Sequence, residues 1–304
     1  TYPIPAPLIQ YEFLFQKIHL QSNIFAIARI CLAIGTLSTL LFNNSEFLFY
    51  PHKVQTPLLV DILTKHISIF DMFPPEYILI PTILSVIILL LVIIGIYPRY
   101  TSILHWWVSY SLFHSATIMD GGDQITAILT ILIIPIYLFD NRKWHWHPPE
   151  NLEKNTLANN FSRFAFLAIR LQMCLLYLQA SIAKLSIEEW RNGTVLYYWM
   201  TRHDFGRPEY LSYIIDPLLK NSLILPLLTW SVLILEFLLF MSIRFKQSTR
   251  NKLLILGILF HFMIFLIHGL FSFFMAMTAG LLLYLMPLVK TNYKLKTKLK
   301  WIYS

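Results

Sequence analysis

Charge is what this chain has least of. Of its 304 residues 13% are charged and 57% are hydrophobic, whereas soluble domains carry roughly 25% charged residues, so an ordinary soluble architecture is excluded. Cysteine is almost absent: Cys31 and Cys174 form no C-x-x-C pair and both fall within apolar runs, which argues against a disulfide scaffold or a redox dithiol. The chain has no G-x-S-x-G, no H-E-x-x-H and no P-loop, so the signatures of serine hydrolases, zinc proteases and ATP-driven pumps are missing. No internal repeat is visible, which counts against the repeat-built transporters. The opening "TYPIPAP" lacks a positive n-region, and the first apolar run is too long for a signal-peptide core, so that run is expected to be a retained span.

What the chain does have is long apolar runs. Crossing about 30 Å of hydrocarbon takes roughly 20 apolar residues. Runs of about that length, or somewhat shorter, fall at about 22–42, 77–97, 101–119, 125–140, 163–185, 222–243, 252–269 and 270–288. The expected fold is therefore all-α: a polytopic helical membrane protein of about eight transmembrane helices. Residues 1–21 form an N-terminal segment whose "YEFLFQKIHL", residues 11–20, mixes aromatic and polar residues as an interfacial helix does. Residues 22–288 form the membrane domain, and 289–304 a basic tail suited to anionic lipid.

The net charge of +8 does not point to nucleic acid, because Lys and Arg sit in short blocks between apolar runs. One set of alternate loops holds Lys17, Arg99, Arg142, Lys143, Lys154, Arg163, Arg244, Lys246, Arg250, Lys252 and the five tail lysines, 15 in all; the other holds Lys53, Lys65, Arg191, Arg202, Arg207 and Lys220, 6 in all. By the positive-inside rule both termini are cytoplasmic in a multi-pass plasma-membrane protein. Arg29, Arg170 and Lys184 are left within spans. The third, fifth and seventh spans then run outward, and their ends, "FHSATIMDGGDQ", "SIAKLSIEEWRNG" and "HFMIFLIHG", gather a polar set on the extracytoplasmic side.

In that set, Asp120 and Asp123 flank a Gly-Gly turn, where they either hydrate the turn or bind a cation, a proton or a lysine. The fifth span carries a polar stripe, Arg170, Cys174, Tyr177, Ser181 and Lys184, at steps of 4, 3, 4 and 3 that place all five on one interior face. A charge at mid-membrane costs about 2.5–3.5 kcal/mol on insertion scales. Arg170 and Glu236 each lie 14 residues from a span end expected on the same side, roughly 21 Å deep. A structural Arg170–Glu236 ion pair is therefore expected, with Arg29 the rival. Lys184 either snorkels to the headgroups or, partly desolvated, supplies a neutral amine as a base. His261 and His268 are seven apart on one face and suit a ligand or proton relay, and His105 and His114 add weaker candidates. "KWHWHPP", with His145 and His147, reads first as an interfacial belt; two histidines are too few for a metal site, and no metal is expected.

The order of these features, a "DGGD" turn after an apolar span, then "DNRKWHW", then "YLQASIAKLSIEEWRNGTVLYY", then two late histidine-bearing spans, resembles the sporulation-delaying protein B family. Those proteins consist of the HTTM membrane domain, which is also the membrane part of vitamin K-dependent gamma-carboxylases, and the resemblance covers roughly residues 15–290. It implies work with a partner similar to sporulation-delaying protein A in producing a secreted antimicrobial peptide from its precursor. The wider domain family implies a reduced, vitamin K-like quinone as cofactor and a lysine base in the motif matching "IAKL", here Lys184, with His261 in the corresponding late span.

Three readings follow. In the first, a membrane enzyme component of peptide maturation uses Lys184, His261, His268, Asp120 and Asp123 around a pocket open to the outer leaflet, with Tyr177, Ser181 and Trp190 holding a quinol-like cofactor. The second is a non-catalytic scaffold or export component for the peptide and a soluble partner. The third is a proton-coupled transporter.

Overall fold

The computed structural model describes residues 22–49, 67–147, 156–203 and 206–286. The expected interfacial helix at 11–20 and the tail at 289–304 lie outside the described residues. The fold is all-α, with no strand among the described residues beyond one isolated bridge between Ile96 and Trp144. Among the described residues eight helices have 15 residues or more: α1 (Asn23–Phe42), α2 (Leu79–Ile94), α3 (Pro98–Ser115), α4 (Gly121–Tyr137), α5 (Thr156–Leu185), α6 (Ile224–Met241), α7 (Gln247–His268) and α8 (Phe271–Leu285). Four of them, α1, α5, α6 with its short 3-10 extension, and α7, are long and apolar enough to cross a membrane; α2, α4 and α8 are shorter apolar helices.

The ends of these helices follow from local chemistry. At the start of α4 Asp120 accepts hydrogen bonds from the amides of Gly122 and Asp123, and Asp123 accepts one from the Asp120 amide, a reciprocal capping box. Gly122 is required there because a Cβ would lie 2.5 Å from the backbone of Phe273. α2 stops at Gly95, whose φ of +86° a side chain would strain.

The buried centre of the bundle is α8, which packs on α1, α4, α5 and α7. Its Ala276, Ala279 and Gly280 are buried, and such small residues let neighbouring helices approach closely. α6 and α7 face outward instead, exposing Leu227, Phe237, Leu256, Leu259 and Met263. An apolar surface of that extent is what a lipid-facing wall requires, and the molecule is a membrane protein.

The polar ends fall into two groups. Asp120, Ser272 and the ends of α5 and α7 lie at one end of the bundle, while Arg29, Thr101 and Tyr137 meet at the other.

Candidate functional site

The polar stripe of α5 turns inward: Arg170, Cys174, Tyr177 and Ser181 are all buried. Lys184, at the end of the stripe, does not reach for headgroups. Its ammonium donates to both oxygens of Glu236, at 2.6 and 2.8 Å, and its side chain is 22% exposed against 8% for the carboxylate. The indole of Trp190, itself buried, lies 5.4 Å from the ammonium and offers its ring to the cation.

This pairing corrects the expected Arg170–Glu236 bridge. That bridge requires α5 to end level with the start of α6. In the structure the Thr229 hydroxyl donates to the Gly193 carbonyl and the Trp230 indole to the Arg191 carbonyl, so the chain just beyond α5 lies beside the second turn of α6. α6 thus begins well past the end of α5, and Glu236, 12 residues after its start, comes level with Lys184. Arg170 lies deeper, over the Phe166 ring and near Cys174, Arg250 and Tyr284. Arg29 takes no part in the pair either, because its guanidinium binds Thr101.

Beside the ion pair, the Tyr177 hydroxyl and His261 Nε2 are 3.2 Å apart. Both side chains are buried, and the other ring nitrogen, Nδ1, is buried with no hydrogen-bond partner among the described residues. Glu236 acts electrostatically on Tyr177, and Lys184 on His261, so the four form one acid–base cluster. Ser181 contributes differently: its hydroxyl donates to the Tyr177 carbonyl one turn back, which turns it along its own helix and not toward the cluster.

His268 is on the rim. Trp199 lies edge-on to it at 6.5 Å and edge-on to Trp190 at 6.2 Å, so an aromatic wall links His268 to Lys184. Trp199 and Phe273 were not singled out from the sequence. Phe273 packs edge-on to His261 at 5.4 Å and also backs Gly121 and Gly122, so it stands between the cluster and the "DGGD" turn.

Among the described residues neither Asp120 nor Asp123 bonds to the cluster, and Phe273 lies between. Asp120 caps α4 and accepts from the Ser272 hydroxyl at 2.6 Å, which ties α4 to α8. Among the weaker candidates, His114 faces Asp71 at 4.0 Å and stacks on Tyr110, and His105 is buried at the opposite end of the bundle. His145 and His147 sit among Trp144 and Trp146, and among the described residues no group of three or more His, Cys, Asp or Glu is placed to hold a metal ion.

Fold and cluster together define a class: an all-α membrane protein with a buried lysine–glutamate pair and a tyrosine–histidine contact at one end of its bundle. The chain belongs to the sporulation-delaying protein B family. It is 36% identical to Sporulation-delaying protein SdpB of Bacillus subtilis strain 168 over 269 residues, 87% of this chain and 81% of that protein. It is also 31% identical over 272 residues to Uncharacterized protein YitO of the same organism, covering 89% of this chain and 87% of that one. No family model matches the chain, and no solved structure does.

Proposed function

We propose that this protein is a membrane component in the production of a secreted antimicrobial peptide, and that Lys184 is the base of its site. The observation that supports this most strongly is the Lys184–Glu236 pair, set within the bundle beside Tyr177 and His261. A plain anchor lysine would extend to the headgroups. An ammonium cannot itself accept a proton, but Glu236 supplies a remedy. Moving one proton from Lys184 to Glu236 turns the ion pair into an amine and a carboxylic acid without changing net charge, and a low-dielectric setting narrows the gap between those forms. The amine then takes a proton from an acidic O–H or N–H of the substrate, and the reformed ammonium faces the anion produced.

A reduced, vitamin K-like quinone fits these residues. The rings of Trp190 and Trp199 offer it aromatic walls, and a phenolic hydroxyl would satisfy the buried Nδ1 of His261. Bound there, it would supply an acidic hydroxyl and reducing equivalents. The resemblance to the HTTM domain, over roughly residues 15–290, supports this cofactor, and the charge count supports cytoplasmic termini with the site on the extracytoplasmic side. The peptide precursor and a soluble partner like sporulation-delaying protein A complete the assembly.

A second reading, a non-catalytic scaffold, has one observation in its favour: the Asp120 carboxylate is spent on capping α4 and bracing α8. Lys184→Ala and Lys184→Arg, each expressed with the precursor and checked for membrane level, separate the two. We expect both to abolish peptide activity and to leave the precursor's mass unprocessed. Parent-level production by Lys184→Arg would sink the base role and leave the scaffold.

A further inference from the structure

The opposite end of the bundle holds a second buried cluster that the lysine site does not use. Arg29, fully buried in α1, donates from Nη2 to the Thr101 hydroxyl at 3.0 Å and lies over the ring of Tyr137, 4.6 Å from its centre. Its Nε and Nη1 have no hydrogen-bond partner among the described residues. Nor do Nε2 of His105 or either ring nitrogen of His145, and among the described residues the Tyr137 hydroxyl has Arg29 alone to bond; all these side chains are no more than 1% exposed. Arg29 is the hub, acting electrostatically on Tyr137, His105 and His145.

The charge is unbalanced as well. The nearby carboxylate, Asp140, is taken by Arg142, whose Nε and Nη2 donate to it at 2.8–3.1 Å while Nη1 holds the carbonyls of His145 and His147. Arg29 is left with a buried positive charge and free donors, an arrangement that is costly unless an anion or water meets it. With Asp140 cancelling Arg142, the deficit among the described residues is a single negative charge.

We propose that Arg29 and Tyr137 bind a small monoanion, a halide or a carboxylate of formate size, which fixes α1, α3 and α4 to the loop after Tyr137. The test uses the purified full chain in detergent, with sodium gluconate exchanged for sodium formate or sodium chloride at constant ionic strength. Thermal unfolding is followed by tryptophan fluorescence. We expect a saturable rise in Tm for the parent with at least one of the two salts, no saturable rise for Arg29→Gln, and a several-fold higher half-effect concentration for Tyr137→Phe. No saturable rise with either salt, or equal rises in parent and variants, would mean that water alone fills the site and would overturn the proposal. Should Arg29→Gln fail to fold, an unchanged half-effect concentration in Tyr137→Phe overturns it by itself.

Discussion

At Asp120 one carboxylate serves two helices. It accepts the Gly122 and Asp123 amides at the start of α4 and the Ser272 hydroxyl at the start of α8. Asparagine caps a helix as well as aspartate does, whereas alanine does not, at a cost of about 0.5–2 kcal/mol. Asp120→Asn is therefore expected to unfold near the parent's temperature and Asp120→Ala measurably below it. Lost peptide production in an Asp120→Asn protein of parent stability would mark the charge itself as part of the site. The expectation for the "DGGD" turn was hydration or ligand binding; the cap it forms instead is a local signal that the spacing holds, an acid three residues after an acid at a helix start. The pairing of Lys184 with Glu236 carried no such signal. It depends on how far the chain travels between α5 and α6, which fixes the depth of Glu236 and is a property of 38 intervening residues, not of either side chain. The polar stripe was legible because helical period alone decides which face it takes.

At the scale of elements, the apolar runs located the eight long helices among the described residues, four of which are long and apolar enough to cross a membrane, and their ends differ from those expected. α4 begins at Gly121 and not near 125, because the capping box adds a polar first turn. α5 begins at Thr156 and not near 163, because its polar first turns continue the helix past the apolar stretch. The loop after α4, expected to be an interfacial belt, leaves Trp144 43% exposed. Its other side is a pin: Arg142 is ion-paired to Asp140, and the ring of His145 lies against Gly95, where a Cβ would come within 2.3 Å of it. Burial, with Arg29 and Arg142 nearby, pushes the His145 imidazole down to about 4, from an ordinary value near 6.5. The folded loop thus resists a proton that the unfolded chain accepts, and stability should fall as pH drops from about 6.5 toward about 4, then level off below it. Thermal unfolding of the parent and of His145→Gln across that range checks this. We expect the parent to lose more of its Tm on acidification than the variant does; parallel losses would remove His145 as the cause.

Across the whole molecule, the bundle separates its chemistry by end. The Lys184 cluster lies at one end and the Arg29 cluster at the other, with the small-residue helix α8 packed between its neighbours and α6 and α7 turned outward to lipid. Composition foretold the membrane class, because 13% charge leaves too little polar surface for water. It did not foretell the central place of α8, which is shorter than α1, α5 and α7 yet deeply buried. The ion pair is what makes function and architecture hard to separate, since removing one partner leaves the other charge without its counter-ion and costs about 3–5 kcal/mol when both are fully buried. Exchanging the two charges divides the roles. In the double variant Lys184→Glu with Glu236→Lys, measured beside both single changes for thermal stability and for peptide production, the pair re-forms but the amine leaves α5. Stability is expected to recover above that of either single variant while production stays lost. Production returning together with stability would contradict a base role for Lys184 and make the pair a structural tie.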